Sequence, residues 1–185
     1  MTLRDIPDDW QHADVTQAIR YARGFGCAID CGAHRGVITR LLARYFRAVV
    51  AIEPGPLADQ IEGAAQVIRA ALGDKPGRCG MADGKHNTGQ RHVTDGSSVE
   101  VITLDSLGLA PDFIKLDVEG MEWHTLIGGE QTIRRYRPVI MLEENGLNRR
   151  YGIQDGEPGR LLESWGARRV LVTRQGDDED WIYAW

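Results

Sequence analysis

At 185 residues, with 42% hydrophobic and 26% charged side chains, the chain can bury one core without disulfides. A formal net charge of −5 disfavours bulk binding to a phosphate backbone, so nucleic acid is not the favoured partner. The three cysteines include no C-x-x-C pair and no zinc-ligand spacing, there is no signal-like apolar core over Met1–Trp10, and no run reaches membrane-span length; the expectation is a cytoplasmic protein with no membrane partner.

The spacing of Val15, Ala18, Ile19 and Ala22 predicts a helix over Asp14–Arg23, stopped by Gly24. This gives an N-terminal helical segment (1–25) leading into a core (26–185) of one domain. Cys27-Ala28-Ile29-Asp30 reads as a short strand ending in an acid, followed by the glycine-punctuated loop Gly32-Ala33-His34-Arg35-Gly36. Ile38, Leu41, Leu42 and Tyr45 make the apolar stripe of a helix over Val37–Phe46. Ala48–Ile52 is a continuous β-type run closed by Glu53-Pro54. Strand, glycine loop, helix and strand form one βαβ unit.

Leu57–Ala64 predicts a short helix, and Gln66–Ala71 a strand closed by Gly73-Asp74. The polar stretch Pro76–Ser98 is too long for a plain connection and reads as a hairpin excursion or a substrate loop. Val99–Leu104 and Phe113–Asp117 read as strands, the second again ending in an acid. Glu122–Tyr136 reads as a helix, Val139–Glu143 as a strand after Pro138, and Glu157–Trp165 as a helix. Arg169–Thr173 and Trp181–Ala184 close as an antiparallel edge hairpin. The alternation predicts an α/β fold with a doubly wound, mostly parallel sheet covered on both faces.

Sheets of this kind bind ligands beyond the carboxyl ends of their strands, where strand order reverses. Asp30, Glu53, Asp117 and Glu143 stand at four such ends. The glycine loop departs from the dinucleotide pattern G-x-G-x-x-G, with Val37 in the place of the third glycine. An acid at Asp30 suits a ligand with a cationic amine, such as the methionine part of S-adenosylmethionine, and repels a pyrophosphate. Glu53, some twenty residues on, is placed to accept hydrogen bonds from ribose hydroxyls.

Ala28–Gly36 resembles the first motif of the FkbM family of methyltransferases. Thr103-Leu104-Asp105-Ser106-Leu107 resembles its TLDSL segment, Ile114–Glu122 its IKxDVEGxE signature, and Arg137–Glu143 the RPVIxxE strand that follows. The resemblance runs in order from Ala28 to Asn145. It implies a class I methyltransferase (Rossmann-like) fold with a seven-stranded sheet, and methyl transfer from S-adenosylmethionine, usually to an oxygen. The acceptor would be a small-molecule or glycosidic hydroxyl.

The resemblance implies a cofactor site at Asp30, Gly32, Ala33, His34, Gly36, Glu53, Pro54, Leu72 and Asp117. Asp117, Glu119 and Glu143 are the catalytic candidates, and His86, Asn87, Glu122 and Asn145 the substrate candidates. For Glu122 the competing role is electrostatic support of a helix N-terminus. His34 stands where the family has asparagine, which makes cofactor binding sensitive to its charge. A magnesium site from Asp117, Glu144 and Asn145, as in catechol-type enzymes, is a less favoured alternative. Two other functions compete: a non-catalytic methyltransferase-like subunit of a larger assembly, and an NAD-dependent oxidoreductase. The sequence carries no signal of oligomeric state.

Overall fold

The structure, a computed structural model, describes residues 10–82, 91–175 and 178–185. Five parallel strands make most of the main sheet: β1 (Cys27–Cys31), β2 (Ala48–Ile52), β3 (Gln66–Ile68), β7 (Phe113–Leu116) and β8 (Val139–Glu144). The hairpin β9 (Arg168–Gln175) and β10 (Asp178–Ala184) completes it, with β10 antiparallel to both neighbours. The order across the seven strands is β3-β2-β1-β7-β8-β10-β9. Strand order therefore reverses between β1 and β7. The chain folds back so that its last strand lies inside the sheet and β9 forms the edge.

Side chains on a strand alternate between faces, and that period organises the molecule. Ala28, Val49, Phe113, Val139 and Met141 face Val15, Ala18, Ile38 and Leu41, from α1 (Trp10–Ile19) and α2 (Val37–Leu42). Ile29, Cys31, Val50, Ile52, Ile114, Leu116, Ile140 and Leu142 face Leu126, Ile133 and Leu162, from α3 (Glu122–Ile127), α4 (Glu130–Tyr136) and α5 (Glu157–Ser164). Trp165, Trp181 and Trp185 pack against this second layer.

Several elements differ from the sequence expectation. The helix expected over Glu122–Tyr136 breaks at Gly128-Gly129. A Cβ on Gly128 would lie 2.1 Å from the Gly73 carbonyl oxygen, so a backbone crossing occupies the place of a continuous helix face. Leu57–Ala64 supplies only a 3-10 turn at Pro56–Gln60. Gln66–Ala71 divides between β3 and β4 (Ala71–Leu72), which belong to different sheets.

The polar excursion is a hairpin. β5 (Gly77–Ala82) pairs antiparallel with β6 (His92–Ile102), and β4 joins β6 in parallel to give a second, three-stranded sheet. No helix among the described residues is long and apolar enough to cross a membrane.

Candidate active site

The crevice beyond β1 and β7 is built by the same alternation that sorts the core. Asp30 pairs in register with Lys115, and Lys115 with Met141. Two residues further along the same face come Asp117, just past β7, and Glu143 on β8, with Glu53 following β2. Four carboxylates and one ammonium thus converge on one side of the sheet at the point where strand order reverses.

The loop after β1 is drawn tight by its backbone. Gly32 and Ala33 donate to the Ile52 carbonyl at 2.9 and 3.0 Å, and Gly36 donates to the Ala33 carbonyl at 2.7 Å. Glu53 Oε2 accepts the His34 N–H at 2.9 Å, and its Oε1 accepts the Gly55 N–H at 2.7 Å. The N–H groups of Gly32, Ala33, His34 and Gly36 all address protein acceptors, which leaves no phosphate cradle among them and weakens the dinucleotide reading. Gly32 adopts φ +79, and a Cβ there would lie 1.7 Å from the Asp117 carbonyl oxygen. Only glycine allows β1 and β7 to close at this point.

Asp30 is 0% exposed. Its Oδ2 accepts the Thr39 hydroxyl at 2.6 Å, while Oδ1 has no partner among the described residues. Burial pushes its pKa up, against the lowering influence of Lys115 and Thr39. A buried carboxylate oxygen without a donor is unusual. An ammonium group held over the first turn supplies the missing charge and donor, so the residues fit the amino-acid end of S-adenosylmethionine.

Lys115 is 8% exposed, yet its Nζ donates to Asp117 Oδ2 at 2.7 Å. Burial alone would strip its proton; Asp117 and Asp30 outweigh that and hold it charged. Burial would likewise raise Asp117, but Lys115 and a hydrogen bond from Glu143 keep it below the usual carboxylate range. Glu143 moves well upward, through burial first and the Asp117 charge second, and so keeps its proton and donates to Asp117. Asn145 Nδ2 donates to Glu143 Oε2 at 2.7 Å, and Asn145 Oδ1 accepts the Leu147 N–H at 3.0 Å.

Glu119 lies on the loop after Asp117 and is partly buried. Burial, Asp117 and Glu122 together push its pKa up to about 8. His34 is half-buried, and burial lowers its pKa against the pull of Glu53, so the ring is neutral near pH 7.

Three sequence assignments change. Glu122 does not reach the crevice: it is 0% exposed, and its oxygens accept Val118 N–H, Gly120 N–H and Asn148 Nδ2. A carboxylate at a helix start that holds its own preceding loop has the same sequence signature as one aimed at a ligand. Leu72 is 3% exposed within the core layer, so its side chain serves packing. Glu144 turns to the opposite face from Asp117 and accepts the Gly156 N–H at 3.2 Å, so the alternative magnesium set is not brought together. His86 and Asn87 lie outside the described residues. Pro54 is half-buried beside Glu53.

The sequence reading missed Lys115, Thr39, Asn148, Arg91 and Tyr151. A lysine inside the apolar run Phe113–Leu116 was the available signal for the first. Thr39 reaches Asp30 from nine residues on, across the glycine loop, and the remaining three depend on contacts distant in sequence. A Cβ on Gly55 would lie 3.0 Å from Arg91 Nη1, which puts that guanidinium beside the Glu53 loop. The Tyr151 hydroxyl donates to the Val93 carbonyl at 2.9 Å, tying β6 to the turn after β8.

Comparison with known proteins identifies the family and the fold. The profile of the Methyltransferase FkbM domain matches residues 30–178. A crystal structure of methyltransferase FkbM from Methylobacillus flagellatus KT superposes with a TM-score of 0.59 at 17% identity, covering 85% of this chain and 43% of that one. This chain therefore spans less than half the length of that structure. The N-methyltransferase NodS from Bradyrhizobium japonicum WM9 gives a TM-score of 0.57 at 11% identity, covering 98% of each chain. A precorrin-6y C5,15-methyltransferase from Geobacter metallireducens GS-15 gives 0.54 at 16%, covering 100% of this chain and 92% of that one. At these identities the likeness is one of fold, and the fold is that of class I methyltransferases. No curated protein sequence matches the chain.

Proposed function

The chain belongs to the FkbM methyltransferase family, and from that premise we propose that it methylates a hydroxyl oxygen on a small or glycosidic acceptor, using S-adenosylmethionine. One observation carries the reading. Asp30, Glu53, Asp117 and Glu143 converge on one face around the strand-order reversal, and among the described residues Asp30 keeps an oxygen without a donor.

When bound, S-adenosylmethionine supplies a methyl group on a positively charged sulfur, which keeps the bonding pair and becomes a neutral thioether as the carbon–oxygen bond forms. The protein has to hold, orient and deprotonate. Asp30 supplies negative charge beneath the glycine loop for an ammonium group. Glu53 stiffens that loop through His34 and Gly55 and keeps lone pairs for ribose hydroxyls. Asp117 stays a carboxylate because Lys115 and Glu143 fix it, and so offers a permanent negative charge at the crevice floor. Glu119, with its pKa at about 8, has the proton affinity suited to take the acceptor hydroxyl's proton near neutral pH.

Calorimetric titration of the full chain with S-adenosylmethionine tests the reading, with Asp30→Ala as the comparison. The expected result is binding by the native chain and its loss in the variant, followed by transfer of labelled methyl to members of a hydroxyl-acceptor panel. Absence of binding at millimolar cofactor overturns the reading, as does equal binding by Asp30→Ala.

A further inference from the structure

Glu119 sits at φ 56, in the left-handed region that side-chain-bearing residues rarely occupy. Such a residue persists where its surroundings over-determine it. Here the hold is a single buried carboxylate. Glu122 Oε1 accepts the N–H of Val118 at 2.9 Å and of Gly120 at 3.2 Å, the two residues on either side of Glu119.

Glu122 is held in turn from the next loop. Asn148, 1% exposed on the turn Leu147–Tyr151, donates its Nδ2 to Glu122 Oε2 at 2.8 Å. The same turn closes against the neighbour of Glu119. A Cβ on Gly120 would lie 2.6 Å from the Leu147 carbonyl oxygen and 3.0 Å from the Tyr151 ring.

We propose that Asn148, acting through Glu122, is the positioning residue that fixes the orientation and surroundings of Glu119. The inference rests on the reading of Glu119 as proton acceptor. Removing the Asn148 donor leaves a buried carboxylate oxygen unmatched. Glu122 then takes up a proton or turns toward another donor, and the peptide groups flanking Glu119 lose their common acceptor. The charged groups acting on Glu119 are Asp117, Glu122, Arg150 and Lys115. Arg150 shares the turn with Asn148, so a displaced turn changes both where Glu119 points and how tightly it holds a proton.

The test needs neither cofactor nor acceptor. Carboxyl carbon NMR of the full chain follows the titration of Glu119, and amide exchange follows Val118 and Gly120. Asn148→Asp replaces the donor by an acceptor of the same shape, and Glu122→Gln does the converse. The double variant Glu122→Gln/Asn148→Asp restores a donor–acceptor pair with its direction reversed and the total charge unchanged.

Either single change is expected to move the Glu119 midpoint by about one unit, a tenfold change in proton affinity, and to speed exchange at Val118 and Gly120 by at least about tenfold. The double variant returns both toward native values. Because Glu122 also acts on Glu119 by charge, a midpoint shift with native exchange at Val118 and Gly120 reports the field alone and overturns the positioning role, as does a change confined to melting temperature.

An unchanged Glu119 titration in folded Asn148→Asp overturns the proposal, and so does a double variant that regains stability without regaining that titration. If the single variants do not fold, the double variant decides alone. The proton-acceptor reading stands or falls separately, on labelled methyl transfer by Glu119→Gln.

Discussion

Lys115 Nζ, on β7, and Asp117 Oδ2, just past its end, lie 2.7 Å apart, with the Lys115 side chain 10% exposed. Asp30 faces the same ammonium from β1, and Asp117 and Asp30 together hold it charged against burial. One cation therefore balances the acids beneath the crevice. Removing it leaves buried charge uncompensated, which costs far more than losing a surface pair. Lys115→Met is expected to destabilise the fold by about 3–5 kcal/mol in urea unfolding. A loss below about 1 kcal/mol shows that the pair is solvated and the argument wrong.

Glu119 has its pKa at about 8 through burial, Asp117 and Glu122. As the proton acceptor it works in its ionised form, so methyl transfer should rise with pH and level off above that midpoint. Glu119→Gln should lower turnover by about 100-fold or more and abolish the rise, with cofactor affinity nearly unchanged. Retained turnover, or the same pH dependence in the variant, removes Glu119 from the chemistry.

Stability should fall as pH rises through the neutral range. Glu122 is raised from 4.5 to about 7, with burial the leading cause, and Glu143 also moves upward. The folded state then binds more protons than the unfolded one between those limits, so it loses stability with rising pH. Asp117 is shifted the other way; its contribution is present above its ordinary value near 3.8 and is lost as pH falls through the depressed one. Urea midpoints should be higher at about pH 5 than at about pH 8, and Glu122→Gln should shrink the difference. A midpoint that climbs between those values contradicts the assignment.

Gly32→Ala should be among the most damaging single-methyl additions. The backbone is at φ +79, and the new carbon would meet the Asp117 carbonyl oxygen at 1.7 Å. β1 and β7 must then separate at the crevice, so both melting temperature and cofactor binding should drop. A variant with native stability and native binding would show that the loop can re-form elsewhere.

What the sequence disclosed divides along physical lines. β1, β2 and β7 were legible because a buried parallel strand is a continuous apolar run, and its terminal acid marks the ligand end. Length and polarity marked the stretch beyond β4 as more than a connection but left a hairpin and a substrate loop both open; the pairing of β5 with β6 decides for the hairpin. The break at Gly128-Gly129 was not, because it answers to Gly73, a residue far away in the chain. Local pattern likewise could not separate Glu119, partly exposed on the loop after Asp117, from Glu122 three residues on, fully buried. Their difference is made by Asn148, which only the folded chain brings near.

The two-residue alternation in β7 also guards the assembly of the sheet. Sliding that strand by one position would drive Lys115 and Asp117 among Leu126 and Ile133 and turn Ile114 and Leu116 toward the crevice. Such a misaligned state pays a heavy electrostatic penalty before any ligand arrives. The groups that equip the molecule for chemistry thus double as a proofreading device for its own strand alignment.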